Sequence, residues 1–154
     1  MREMTEKELK ITVDIDASPK VVFKIISDPK ELINWFPDEA ILELRVGGKY
    51  RVSFLKDSKN PRMKMEMDFI NEGKVIEIIQ NKKLVHTWHW KAFSGSPETI
   101  VSWELEQVNQ NKTRLTLTHS GFTGKEEGPT SIHEHEKGWS FFLNELVSYC
   151  KKMN

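Results

Sequence analysis

Apolar residues recur at spacings of three and four between Ser131 and Met153: Trp139, Phe142, Leu143, Leu146, Tyr149, Cys150 and Met153 fall on one stripe. The spacing predicts one long C-terminal helix. Ser131 and Glu134 form a capping-box pair at its start, where each side chain would satisfy a free backbone N–H. Glu134 and Glu136 suit the positive end of the helix dipole, and Lys151 and Lys152 the negative end. Gly138 interrupts the helix interior, at a cost of about 1 kcal/mol relative to alanine. A glycine there points to another backbone, or a ligand, coming close.

Upstream of that helix the period changes to two. Ile11, Val13 and Ile15 alternate with Thr12, Asp14 and Asp16, which predicts a half-buried first strand after a polar, flexible N-terminus over residues 1–10. Ser18-Pro19 and Asp28-Pro29 each pair an N-cap with proline at the first helical position. Two short helices follow, carrying Val22, Phe23 and Ile26, then Leu32, Trp35 and Phe36. Glu31 completes a capping box with Asp28, and Pro37 stops the second helix. Strands are predicted over 41–46 and 49–55, joined by Gly47-Gly48 as a two-residue hairpin turn. Met63, Met65, Met67 and Phe69 alternate with Lys64, Glu66 and Asp68, and Asn71-Glu72-Gly73 reads as a bulge or bend before 75–79. Three further strands are expected over 83–90, 99–106 and 113–120. This order predicts a seven-stranded curved antiparallel sheet with its apolar face on the long helix, an α+β two-layer domain spanning residues 11–154.

The totals narrow the function classes. A chain of 154 residues is one domain's worth. Lys plus Arg and Asp plus Glu balance at 23 each, which argues against a nucleic-acid or anionic-membrane partner. The single cysteine, Cys150, forms no intramolecular disulfide and fits a reducing compartment. The start, MREMTEKELK, has no apolar signal segment, and no run reaches the roughly 18 apolar residues of a membrane span. The expectation is a cytoplasmic protein with no membrane insertion.

Four stretches carry a family resemblance. They are Gly73-Lys74-Val75-Ile76-Glu77, Leu84-Val85-His86-Thr87-Trp88-His89-Trp90, the run from Thr113 to Phe122 (TRLTLTHSGF), and His135-Glu136-Lys137-Gly138-Trp139. Together they resemble the single-domain proteins related to the activator of Hsp90 ATPase, a family of the START-like, Bet v 1-like (SRPBCC) helix-grip superfamily. The resemblance runs from Ile11 to Tyr149. It implies a helix-grip fold with an apolar ligand held between sheet and long helix. It also brings two further possibilities: a cyclase- or hydrolase-like step in the same cavity, or a chaperone partner of the Hsp90 type. The eukaryotic activator carries an additional N-terminal domain, and this chain matches the helix-grip part.

The strand faces supply candidate site residues. Tyr50, Val52 and Phe54 share a face, as do Leu84, His86, Trp88 and Trp90, then Val101, Trp103 and Leu105, then Leu115, Leu117 and His119. An ordinary core accounts for such rows. A cavity wall is the alternative, favoured by alternating methionines that adapt to variable apolar ligands and by tryptophans that pack poorly against one another. On that reading Trp35 and Phe36 form the mouth, and Phe54, Met65, Met67, Trp88, Trp103 and Leu117 the walls. Trp139 and Phe142 form the lid. His86 and His119 are either polar anchors for the ligand or satisfied core histidines.

Catalytic and metal signatures are missing. His133-Glu134-His135 lacks the H-E-x-x-H spacing, so no metal is expected. There is no G-x-S-x-G, P-loop or G-x-G-x-x-G, and no cofactor is expected. Cys150 has no basic activator beside it and reads as a buried, inert thiol. The function expected is binding of a hydrophobic small molecule.

Overall fold

Period-two segments pair only if each strand can hand its amides to a neighbour, and most strands here pair with the next in sequence, one pairing joining the second strand to the last. The computed structural model describes residues 2–58, 65–93 and 95–153. Its strands are β1 (Arg2–Met4), β2 (Glu8–Ile15), β3 (Glu39–Leu42), β4 (Lys49–Phe54), β5 (Phe69–Ile79), β6 (Lys83–Trp90), β7 (Thr99–Asn109) and β8 (Lys112–Ser120). They form one antiparallel sheet in the order β1-β2-β8-β7-β6-β5-β4-β3. Helices α1 (Pro19–Ser27) and α2 (Pro29–Leu32) follow β2, and α3 (Ile132–Met153) ends the chain.

The predicted helix signals act as capping chemistry. Ser18 Oγ accepts from Val21 N at 3.4 Å and Asp28 Oδ1 from Lys30 N at 2.9 Å, each with proline next. Ser131 Oγ accepts from Glu134 N at 3.2 Å at the start of α3. Glu31 has a different role from the one expected: it accepts the Tyr149 hydroxyl at 2.7 Å and so ties the end of α3 to α2.

Three features differ from the sequence expectation. The sheet has eight strands rather than seven, because β1 pairs with β2 through Arg2↔Ile11 and Met4↔Leu9, and β2 starts at Glu8. All three residues of β1 are exposed, so no alternation announces it. An ion pair from Arg2 to Glu136 ties it to α3. Secondly, Gly47-Gly48 is not a two-residue turn, since residues 43–48 connect β3 to β4. Gly47 has φ +84°, and a Cβ on Gly48 would lie 2.1 Å from the Glu43 carbonyl oxygen, so both positions require glycine. Thirdly, the bulge falls between Val75 and Glu77, where Val75 N reaches Gly48 O instead. Gly73 serves close strand approach, since a Cβ there would sit 2.0 Å from the Thr87 carbonyl oxygen.

Candidate functional site

The sheet and α3 are not in uniform contact. Among the described residues the helix backbone comes close to β2 but stands farther from β4, β5 and β6, where aromatic side chains span the gap. They leave a cavity of about 190 Å³. Phe36, Phe54, Met65, Phe69, Trp88 and Trp90 line it from the sheet side. Pro129, Glu134, His135, Gly138, Trp139 and Phe142 line it from the helix side. Pro129 and Glu134 are exposed, so the cavity opens to solvent past the start of α3.

Local periodicity builds both walls. Phe54 pairs directly with Phe69, and Asn71 with Trp90, so these side chains emerge on the helix-facing side. On α3, His135, Gly138, Trp139 and Phe142 stand at i, i+3, i+4 and i+7 and share one face. A Cβ added to Gly138 would meet nothing within 4 Å. No backbone therefore demands this glycine; its missing side chain leaves space that belongs to the cavity.

Three buried histidines organise the polar groups around this wall, and each accepts from tryptophan. Trp103 Nε1 donates to His86 Nε2 at 3.0 Å, and His86 Nδ1–H donates to the Thr87 carbonyl at 2.9 Å. Trp139 Nε1 donates to His119 Nδ1 at 3.0 Å. His119 Nε2–H donates to Thr99 Oγ1 at 2.7 Å, and the Thr99 hydroxyl passes on to the Trp88 carbonyl at 3.2 Å. His135 Nδ1–H donates to the Ser131 carbonyl at 2.8 Å, and its Nε2 accepts from Trp90 Nε1 at 2.9 Å and Trp88 Nε1 at 3.2 Å. An N–H aimed at a ring nitrogen requires a lone pair there, so all three rings are neutral. Burial has the same effect. It pushes His86 down to about 4, and it lowers His119, with help from the fields of His135 and His86. Burial also lowers His135, against its hydrogen bond to Ser131.

The expected site residues fall into three positions. Phe36, Phe54, Met65, Trp88, Trp139 and Phe142 line the cavity. Trp35, Trp103 and Leu117 lie behind it in the core, and Trp35 Nε1 donates to the Ile25 carbonyl at 3.2 Å. His86 and His119 are also outside the lining, with both ring nitrogens of each engaged by protein groups. Met67 is 42% exposed. The strand expected over Met63–Phe69 begins only at Phe69, and Met63 lies outside the described residues. Beyond the Phe54–Phe69 pair, Lys56 N, which faces β5, donates to the Asp68 side chain at 2.9 Å rather than to a strand carbonyl, while Leu55 N faces β3 and donates to Asp38 Oδ2 at 2.8 Å.

Five lining residues were not anticipated as site residues: Phe69, Trp90, Pro129, Glu134 and His135, while Gly138, expected to admit a backbone or a ligand, lines the cavity as well. The signal for His135 was present in its spacing to Trp139 and Phe142. Comparing it only with His133, two residues away and exposed, conceals it.

Reactive groups are sparse. Burial pushes the Cys150 thiol up to about 11, which leaves it protonated. Among the described residues no three His, Cys, Asp or Glu side chains are grouped to hold a metal ion, and no helix is long and apolar enough to cross a membrane.

Comparison with known proteins places this architecture. The family model for activator of Hsp90 ATPase homolog 1-like proteins matches residues 16–151. The chain belongs to that family. Among solved structures, a Rhodobacter sphaeroides protein is 16% identical with a TM-score of 0.79, and the alignment covers 100% of this chain and 99% of that one. A Chromobacterium violaceum protein is 19% identical with a TM-score of 0.77, covering 95% and 98%. An Hsp90 activator from Plasmodium falciparum is 23% identical with a TM-score of 0.69, covering 91% and 93%. At these identities the likeness is one of fold. No curated protein sequence matches the chain.

Proposed function

We propose that this member of the Hsp90-activator-like family binds a small apolar or aromatic molecule in the cavity under α3. The observation that carries the reading is Gly138, a helix-interior glycine whose absent side chain opens onto a cavity walled by aromatic rings. A helix pays about 1 kcal/mol for such a residue, and no neighbouring protein group requires it. Size supports a small ligand: cavities of roughly 150 Å³ accept benzene, so about 190 Å³ suits one or two fused rings. The family's fold commonly serves as a ligand-binding domain, which agrees with this reading.

Titration of the protein with indane, followed through tryptophan emission, tests it. Trp88, Trp90 and Trp139 all line the cavity, so occupancy should change their fluorescence. Saturable one-to-one binding with Kd at or below about 100 μM, near 5.5 kcal/mol, is expected. No response at that concentration overturns the reading. Docking to an Hsp90-type chaperone is a second reading, favoured by the family and by the Plasmodium activator among the fold relatives. It predicts that the chain stimulates Hsp90 ATP hydrolysis, and unchanged hydrolysis at saturating protein removes it.

A further inference from the structure

Two indole N–H groups converge on one lone pair at the cavity wall. Trp90 Nε1 and Trp88 Nε1 stand 2.9 and 3.2 Å from His135 Nε2. The other ring nitrogen of His135 gives its proton to the Ser131 carbonyl, so the ring offers a single in-plane lone pair. The other two buried histidines balance one indole donor with one lone pair: Trp103 with His86, and Trp139 with His119. The surplus donor therefore occurs at the one histidine that lines the cavity. Of its two donors, Trp88 is buried, whereas Trp90 is half-buried, with Phe54 and Phe69 centroids at 6.1 and 6.0 Å along the cavity side.

We propose that Trp90 Nε1–H donates to an acceptor atom of the bound molecule, so that the site takes a neutral, planar compound of one or two rings bearing a carbonyl-type oxygen. This deepens the ligand-binding reading and rests on it. With the ligand oxygen on Trp90, His135 Nε2 keeps the N–H of Trp88, and each donor has its own acceptor. A carboxylate fits poorly against the described lining. Among the described residues the lining holds no lysine or arginine, and its charged member is Glu134, itself 3.4 Å from Lys137 Nζ. An anion would surrender its hydration there without a cation to replace it.

The test compares indane, indanone and indane carboxylate by titration calorimetry on the full chain and its Trp90→Phe variant. Losing one neutral hydrogen bond should weaken indanone binding by about 2- to 10-fold in the variant. The smaller ring alters the wall for both ligands, so any change in indane affinity reports that alone, and the indanone loss should exceed the indane loss by about 2- to 10-fold. Wild type should bind the carboxylate at least about 10-fold more weakly than indanone, the cost of an anion desolvated without a cation. In wild type the Trp90 indole proton resonance should shift more with indanone, which replaces its acceptor, than with indane, a reading that needs no variant. Equal losses for indane and indanone, a resonance that shifts no more with indanone than with indane, or a carboxylate bound as tightly as indanone overturns the inference while leaving the cavity reading intact. Failure of all three compounds to bind wild type removes both.

Discussion

The two flanks of the sheet beneath α3 solve the same packing problem differently. On the β2 side the helix backbone lies close, and aliphatic residues such as Leu9, Ile11, Ile15, Leu143 and Leu146 fill the interface. On the β4–β6 side the helix stands off and rings span the distance: Phe36 lies 5.0 Å from Phe142, and Trp88 lies 5.1 Å from Trp139, centroid to centroid. Rings reach farther than aliphatic chains but tile space less completely, and a cavity remains. The histidines differ by depth instead: His86, on β6, sits in the core with one indole partner, whereas His135 sits on the cavity wall with two. One flank is built for stability, and the other leaves room.

The comparison can be broken at the close flank first. Leu146 is fully buried on α3, and Leu146→Ala should cost about 4 kcal/mol in denaturant unfolding through lost transfer energy and a cavity. Indane affinity of the folded variant should not change. A loss below about 1 kcal/mol would mean that the close flank is not tightly packed.

Acidification acts on both flanks through the neutral histidines. Because the folded-state pKa of His86 is pushed down to about 4, the unfolded chain binds the extra proton first as pH falls below the ordinary histidine value. Stability is therefore complete above about pH 6.5 and is lost as pH falls towards 4, by about 3 kcal/mol from His86 alone. His119 and His135 are shifted in the same direction and add to the loss. Urea midpoints measured at intervals across that range check this, and a flat profile would show that the folded imidazoles take up protons as readily as the unfolded ones.

Gly138→Ala sharpens the contrast with a smaller effect of opposite sign. Its Cβ meets nothing, so helix propensity alone should raise stability by about 0.5–1 kcal/mol. Affinity for a ligand that fills the cavity should fall at the same time. A destabilised variant would mean that the space at Gly138 is already occupied by protein.

The sequence made some of this legible and left some hidden, for identifiable reasons. The stripe on α3 and the inward rows of β4, β6, β7 and β8 are visible because period reports which face a side chain occupies. Period does not report depth. Trp103 and Leu117 share the inward face with Phe54 and Trp88, and Trp35 packs on Trp103 from the turn after α2, yet all three lie behind the cavity because α3 approaches the sheet unevenly. The Met63–Phe69 alternation has the form of a strand, but the Asp68 side chain takes the Lys56 amide that a longer β4–β5 ladder would need. β1 pairs through its backbone with both faces exposed, which leaves no hydrophobic signal at all.

The central claim is that the open flank is a ligand cavity bounded by Gly138. Indane titration of wild type beside Gly138→Leu tests it most directly, because leucine is a good helix former whose side chain should enter the space that the ligand needs. Wild type should bind saturably, and the variant should bind at least about 10-fold more weakly, a difference of 1.4 kcal/mol, while melting at or above the wild-type temperature. Equal affinity in the two proteins, or no binding by wild type, would contradict the account.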